Sequence, residues 1–416
     1  MLDRDFETIQ ECRGCSSRDL IDILDLGTQP LANALVKVAQ APVKKFPLTT
    51  AFCPACCLFQ LKETVKKEVL FDRYFWVTGT SLAAKQYAVI FFERTVKLCG
   101  LKPKDFVVEI ASNDGTILKQ FVHGNFRVLG IEPAKNIAQI AQATGVKTLC
   151  AYWDKATAQQ VAGQYGRPKV CIARNVIPHV SQLHEAIEGM HDLLDDEGVG
   201  IIEFHDAGII LRELHYDSIY HEHLCYFTVK SMTALLNRHH LFPFYLDHSP
   251  ISGGSHVIYF SKIQRPQDDT YLKVIGMEEA SHTNELSTWK DFAQKAVEHK
   301  TATLEIISSF KNKRIVGFGA SARSSTYLNY CGLTSAQISS IIDNNPLKQG
   351  FYTAGSNIPI ISKQKGLGMN PDLLFVLAWN LKDEIINECR EAGFKGQYLV
   401  PFPQRPYLMT EKECLI

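Results

Sequence analysis

Four consecutive residues, Tyr220-His221-Glu222-His223, bring a phenol, two imidazoles and a carboxylate into one short stretch of chain. Histidine titrates near neutrality and a nearby carboxylate can orient it, so this combination suits proton transfer to and from a substrate. A second chemical centre lies near the start. Cys12-Arg-Gly-Cys15 and Cys53-Pro-Ala-Cys56 can supply four thiolates to tetrahedral zinc, with turns at Gly14 and Pro54 bending each pair toward one ion. A closed four-cysteine site leaves no open position for chemistry, so the expected zinc is structural. The two pairs stand farther apart than in common zinc ribbons, which suggests a loop inserted between them. Cys57 is close enough to Cys56 to replace it as a ligand.

The elements that must position these groups follow a repeating pattern. The spacing of apolar residues predicts a helix over 85–99 that ends at Gly100, a buried strand over 105–111, a helix opening over 115–121 and a strand over 127–132. Further strands are expected over 169–173, 200–204 and 256–260, with a helix over 229–239. Such alternation implies a doubly wound α/β sheet whose ligand sits at the carboxyl ends of the strands.

The loop after the first of these strands reads Glu109-Ile-Ala-Ser-Asn-Asp-Gly115. It lacks the several glycines of a nicotinamide loop. What remains, Glu-x-Ala-x-Asn-x-Gly, is a variant of the acidic-x-Gly-x-Gly-x-Gly loop of S-adenosylmethionine methyltransferases. Ala111 is small enough for close approach, Asn113 tolerates a left-handed backbone, and Asp114 and Gly115 complete the turn. Glu132 ends the next strand, where a carboxylate can accept both ribose hydroxyls. Asn175 and His179 follow the strand at 169–173 and so belong to the same carboxyl edge.

A helical, amphipathic connection over 277–310 serves as scaffold before a second α/β pattern. Lys313-Arg-Ile-Val-Gly-Phe-Gly-Ala-Ser-Ala-Arg323 reads as a strand, a glycine loop and a helix start, and 338–343 as a strand ending in Asp343. Gly317 and Gly319 let backbone approach a phosphate; Ser321 and the helix N-terminus favour its charge, and Arg323 can pair with it.

The segments Val108-Glu-Ile-Ala-Ser-Asn-Asp-Gly-Thr-Ile-Leu118, Ala173-Arg-Asn-Val176 and Ile219-Tyr-His-Glu-His-Leu224, together with the paired cysteines, resemble the nucleotide-sugar C-methyltransferase family. The resemblance spans essentially the whole chain. It implies a small zinc-binding domain over 1–70, a central class I methyltransferase domain over 71–262 and a Rossmann-like α/β domain over 263–416 that helps hold the nucleotide. The implied cofactors are S-adenosylmethionine and structural zinc. The implied reaction is methylation at carbon 3 of a dTDP-4-keto-6-deoxyhexose, a nucleotide-diphosphate sugar on the way to branched deoxysugars. By the same resemblance His223 is the base, Glu222 supports it or contacts the sugar, and Tyr220 bonds the substrate or the developing enolate. His179 corresponds to a second active-site histidine and Tyr74 to a substrate-contacting tyrosine. Asp343, Lys348, Trp379 and Asn380 would line the nucleotide edge with the Gly317 loop. The chain departs from the family at Ala111, where glycine is usual, and at Arg323, where lysine is common.

Composition narrows the alternatives. Lys+Arg and Asp+Glu each total 44 in 416 residues, and no basic run marks a phosphate-backbone footprint, which disfavours nucleic acid as a partner. No apolar run approaches the roughly 18 residues of a membrane span and the N-terminal residues lack a signal-peptide core, so a soluble cytoplasmic protein is expected. Three fused domains can enclose a site within one chain, which favours a monomer. Two other function classes stay open: an NAD-dependent nucleotide-sugar dehydrogenase or epimerase on the Gly317 loop, and a catalytically inactive zinc-anchored binding protein. The missing third glycine counts against the first, and Glu132 with the Tyr-His-Glu-His run against the second.

Overall fold

Every residue of the strand Phe106–Ile110 is buried, the pattern of a parallel strand covered on both faces. It lies inside a seven-stranded sheet ordered Phe242–Ser249, Ser255–Ser261, Val199–His205, Val170–Arg174, Phe106–Ile110, Arg127–Ile131, Thr148–Leu149. Its neighbours on both sides pair with it in parallel, while Ser255–Ser261 runs antiparallel to both of its own. The winding reverses between Phe106–Ile110 and Val170–Arg174, and in open α/β sheets the crevice beyond such a reversal is the ligand position. The computed structural model describes residues 5–70, 77–250 and 254–410, so Tyr74 lies outside the described residues.

The stretch between the cysteine pairs is not the plain inserted loop that their long separation suggests. Ile21–Pro30 and Lys45–Phe52 form an antiparallel pair that buries Leu24, Leu26, Phe46 and Leu48. Phe59–Leu61 adds to this pair, and the outermost strand, Cys225–Tyr226, comes from the middle of the chain directly after the Tyr-His-Glu-His run. The N-terminal sheet is thus completed by the segment it must hold in place.

The third sheet is ordered Ile360–Ile361, Ser340–Ile342, Ile315–Phe318, Leu373–Val376, Gln397–Val400, Tyr407–Met409, parallel except for the last strand. It too is doubly wound, reversing between Ile315–Phe318 and Leu373–Val376. The expected scaffold connection is two helices, Asp269–Ala280 and Leu286–Ser309, rather than one. The longer one buries Trp289, Phe292, Ala296, His299, Thr303 and Ile307 along one face. Trp289 stacks on Phe59 at 3.9 Å between centroids, and His299 Nε2 lies 2.7 Å from the Pro401 carbonyl, so this one helix binds the N-terminal sheet to the C-terminal one. Two further boundaries differ from the sequence reading. The helix expected from residue 115 begins at Leu118, because Ala111, Asn113 and Gly115 all take positive φ; and Phe242–Ser249 is a strand that the reading did not foresee. No helix among the described residues is long and apolar enough to cross a membrane.

Candidate active site

The two cysteine pairs adopt matching turns. Ser16 N donates to Cys12 O and Cys57 N to Cys53 O, with Ser16 and Cys57 both left-handed at φ 59° and 60°. That conformation turns Cys57 out of the cluster, and the ligand atoms of Cys12, Cys15, Cys53 and Cys56 all lie within 4.8 Å of one another. Sulfur separations of 3.6 Å (Cys12 to Cys56) and 3.5 Å (Cys15 to Cys53) are close to the ~3.8 Å edge of a tetrahedron with zinc–sulfur bonds of about 2.3 Å. Hydrogen bonding from Cys56 and Gln60 lowers the Cys12 thiol pKa against the effect of burial, so Cys12 is the first of the cluster to become a thiolate. Gly14 packs closely here: a Cβ would sit 3.1 Å from the Leu58 side chain and in contact with the Cys56 and Cys12 sulfurs.

The loop after Phe106–Ile110 carries left-handed residues at Ala111 (φ 51°), Asn113 (φ 50°) and Gly115 (φ 76°). At Gly115 a side chain would also strike Val146 at 2.9 Å. Glu132 joins the ends of the first two strands by accepting from Asn113 N at 3.0 Å and Ala134 N at 2.9 Å; burial raises its pKa. The Asp114 carboxylate accepts from Gly79 N and from Thr116, closing the loop against the turn Thr78–Thr80. Glu109 is buried, its Oε2 has no partner among the described residues, and burial pushes its pKa up to about 8. Asn175, also left-handed, gives its main-chain N–H and its side-chain amide to Glu203 on the neighbouring strand. Glu203 also holds Arg174 at 2.6 Å in a buried ion pair.

The Tyr-His-Glu-His run is fixed from all three parts of the chain. Asn33 donates to Glu222 at 2.7 Å, the His221 Nε2 lies 3.1 Å from Pro47 O, and Thr326 donates to Ile219 O. Leu224 N donates to Pro178 O, which brings the turn Ile177–His179 alongside, and the His179 and His223 rings meet edge to face at 4.7 Å. His223 Nδ1 lies 3.1 Å from the Ser218 carbonyl, which can only accept, so Nδ1 carries the proton. In the neutral ring Nε2 then offers its lone pair, and the Tyr220 hydroxyl donates to it at 2.8 Å. Burial first, and then His179 and His205, hold the His223 pKa well below its ordinary value; burial brings His179 down to about 4. Burial raises the Glu222 pKa, with the Asn33 bond opposing.

At the C-terminal sheet Gly319 takes φ 101° at the reversal point, where a Cβ would lie 2.4 Å from Ala378. Asp343 accepts from Ala320 N at 2.9 Å, and Lys348 donates to Ala320 O at 2.7 Å, so these two clamp the glycine loop. Gly317 packs against Leu377 and Ile341, and Ser321 caps the helix Ala322–Cys331 through Ser324. Next to Ala378, Trp379 donates its indole N–H to Asp217 Oδ2 at 2.7 Å and its ring lies 4.4 Å from His215, while Asn380 is exposed. Arg323 lies over Trp379 at 5.6 Å and depresses the pKa values of His205, His215 and His223, which puts its charge at the Tyr-His-Glu-His end. His205 and Asp217 are not among the candidates drawn from the sequence. His205 ends a buried strand at the ligand edge, which was a usable signal; Asp217 carried none apart from its proximity to Tyr220.

Three family models match in succession: the zinc binding domain over residues 12–71, the methyltransferase domain over 84–241 and the C-methyltransferase C-terminal domain over 250–403. C-methyltransferase NovU of Streptomyces niveus is 29% identical over 410 residues, covering 97% of this chain and 98% of the relative. The chain belongs to the C-methyltransferase family. Among solved structures, the magnesium protoporphyrin IX methyltransferase of Synechocystis PCC 6803 with bound S-adenosylmethionine matches 43% of this chain and 79% of its own, at 12% identity and a TM-score of 0.33. The Burkholderia thailandensis 1,6-didemethyltoxoflavin-N1-methyltransferase matches 46% and 81%, at 17% identity and 0.34.

The C-methyltransferase uses S-adenosylmethionine and carries a zinc-binding domain. The loop after Phe106–Ile110 fits that group: three left-handed residues bend its backbone, a buried Glu109 oxygen has no donor among the described residues, and the Glu132 carboxylate stands at the end of the neighbouring strand. Two tests follow from local strain and charge. Ala111 holds a left-handed conformation at a cost of about 1–2 kcal/mol, while glycine adds about 0.4–1 kcal/mol of unfolded-chain entropy. Ala111→Gly should therefore stabilise by ~0.5–1 kcal/mol in a denaturant titration, without weakening S-adenosylhomocysteine binding. A loss of stability would show that the loop carries no such strain. Glu203→Gln strands the Arg174 charge in the interior and should cost about 3–5 kcal/mol. A cost under ~1 kcal/mol would mean that the pair contributes little.

Proposed function

We propose that the C-methyltransferase methylates carbon 3 of a dTDP-4-keto-6-deoxyhexose by base-catalysed enolate formation. One observation carries this reading: a neutral His223 with Nδ1 pinned on the Ser218 carbonyl and Nε2 available as acceptor, beside Tyr220 and His179. A proton next to a ketone is removable when a positioned base meets it and donors stabilise the enolate oxygen. His223 Nε2 takes the carbon 3 proton, and the Tyr220 hydroxyl, released from Nε2, turns to the sugar. Glu222 and His179 hold the ring edge; Asn175, Glu109 and Glu132 shape the cofactor side. S-adenosylmethionine supplies an electrophilic methyl for the resulting carbanion. The dTDP moiety is assigned to the edge formed by the Gly317 and Gly319 loop, Ser321, Asp343 and Lys348, with Arg323 toward the sugar. This assignment is supported by the resemblance and by the backbone approach that Gly319 allows.

Incubation with dTDP-4-keto-6-deoxyhexose and S-adenosylmethionine should yield a sugar 14 mass units heavier, about the mass of one added CH₂, with the new methyl on carbon 3 by NMR. Product methylated at oxygen or nitrogen would sink the reading. Because burial keeps His223 neutral far below its ordinary titration range, the acid limb of kcat/KM should lie well below pH 6.5. An acid limb at or above pH 6.5 would contradict a buried neutral base.

A further inference from the structure

We propose that His205 is a further catalytic residue, whose ring N–H bonds the oxygen on carbon 4 of the keto sugar as the enolate forms. The proposal rests on the carbon 3 methylation reading above. His205 ends the strand Val199–His205, at the carboxyl edge where the fourth and fifth chain-order strands deliver Asn175 and the Tyr-His-Glu-His segment. Its Nε2 is fully buried and has no hydrogen-bond partner among the described residues. Leaving a buried ring nitrogen unpaired costs about 1–3 kcal/mol, so a side chain held this way calls for a ligand group.

The neighbouring acid does not satisfy it. Asp206 is held by Gly208 N at 2.8 Å and by His256 Nε2 at 3.3 Å, so the carboxylate next in sequence turns toward the opposite strand. The charged and titratable groups facing His205 are Arg323, Asp206 and His256, and its ring also acts on His223. A neutral imidazole whose electrostatic neighbours are the base and Arg323 can serve as an electrophile, because it keeps one ring N–H to donate. Burial, followed by Arg323, keeps His205 neutral, with a pKa of about 3.

In the step, the carbon 3–hydrogen bond breaks and its proton passes to His223 Nε2. The electron pair forms the carbon 3–carbon 4 double bond, and the carbonyl π pair moves to the oxygen that His205 and Arg323 face. When the new carbon 3–methyl bond forms, the sulfur keeps the pair of the broken carbon–sulfur bond and the carbonyl is restored. No further reactant is needed.

The test is solvent deuterium exchange at carbon 3 of dTDP-4-keto-6-deoxyhexose by the full-length zinc-loaded protein with S-adenosylhomocysteine present. His205→Leu should slow exchange by about 10²-fold with sugar KM changed by no more than about threefold, and His205→Gln, which keeps a donor, should recover at least ~10-fold of the loss. If His205→Leu does not fold, His205→Phe takes its place. Exchange within about threefold of the parent in the apolar variant, or equal slowing in the apolar and Gln variants with parental melting temperature and S-adenosylhomocysteine affinity, overturns the role of His205. Exchange absent from the unsubstituted protein overturns the carbon 3 reading, and the proposal with it.

Discussion

His223→Asn should abolish exchange of the carbon 3 proton with solvent, lowering its rate by about 10²- to 10⁴-fold, while S-adenosylhomocysteine still binds. The size follows from what the imidazole does and what asparagine can copy. An asparagine amide overlays Nδ1 and can still donate to the Ser218 carbonyl, and the loop Tyr220 to Leu224 keeps its anchors at Asn33, Pro47 and Pro178. It cannot accept a carbon-bound proton, because an amide nitrogen has no basic lone pair. The proposed cofactor contacts lie elsewhere, on the turn Ala111 to Gly115 and at Glu132. The measurement is the disappearance of the carbon 3 proton signal in deuterated solvent, paired with calorimetric binding of S-adenosylhomocysteine. Exchange that persists at the parental rate would remove His223 from the role of base and shift attention to His179, whose ring touches it.

Much of this arrangement could be read from the chain because local chemistry and global fold agree. Phe106–Ile110 is buried on both faces, and in its loop Asn113 and Gly115 are residue types that tolerate positive φ, leaving only Ala111 strained. The four-cysteine cluster was equally plain from spacing, down to which cysteines converge; what spacing left open was Cys57, and a left-handed backbone at that residue decides it. The hairpin Ile21–Pro30 with Lys45–Phe52 escaped detection because its strands are charged along the exposed face and contain Gly27 and Pro47, which read as turn residues. Long-range facts were out of reach altogether. Nothing local says that Cys225–Tyr226 joins the N-terminal sheet, that Asn33 meets Glu222 across the fold, or that Trp379 bonds Asp217. Arg323 was identified as an anion partner from its helix start, yet its charge reaches three histidines of the other α/β unit, a juxtaposition only packing can create.

Packing also fixes what removing the zinc ligands should do. Cys12→Ser should reduce soluble folded yield several-fold and take zinc content well below about one ion per chain, while lowering the turnover of the folded fraction far less. Metal binding to such sites contributes roughly 10–16 kcal/mol in isolated zinc-finger peptides, and this cluster ties both cysteine turns to the N-terminal sheet. Cys12 Sγ accepts from Gln60 Nε2 at 3.0 Å, and the Gln60 carbonyl oxygen accepts from Arg13 N at 3.0 Å, so the first cysteine turn is laced to the strand Phe59–Leu61. The Arg13 guanidinium continues that lacing to Leu61 O and Thr64. On its other edge the same strand pairs with Cys225–Tyr226, and Leu61 N donates to Leu224 O, one residue past His223. Molecules that fold therefore present the base in its usual place, because the strand that carries it is either formed or not. Molecules that do not fold lose the catalytic loop and the cysteine turns together. Zinc content by atomic emission, melting temperature, and exchange rate per mole of S-adenosylhomocysteine sites separate the two effects. Parental stability with a full complement of zinc in Cys12→Ser would place the metal elsewhere, and a folded, zinc-poor protein with no exchange would make the cluster part of the chemistry rather than of the scaffold.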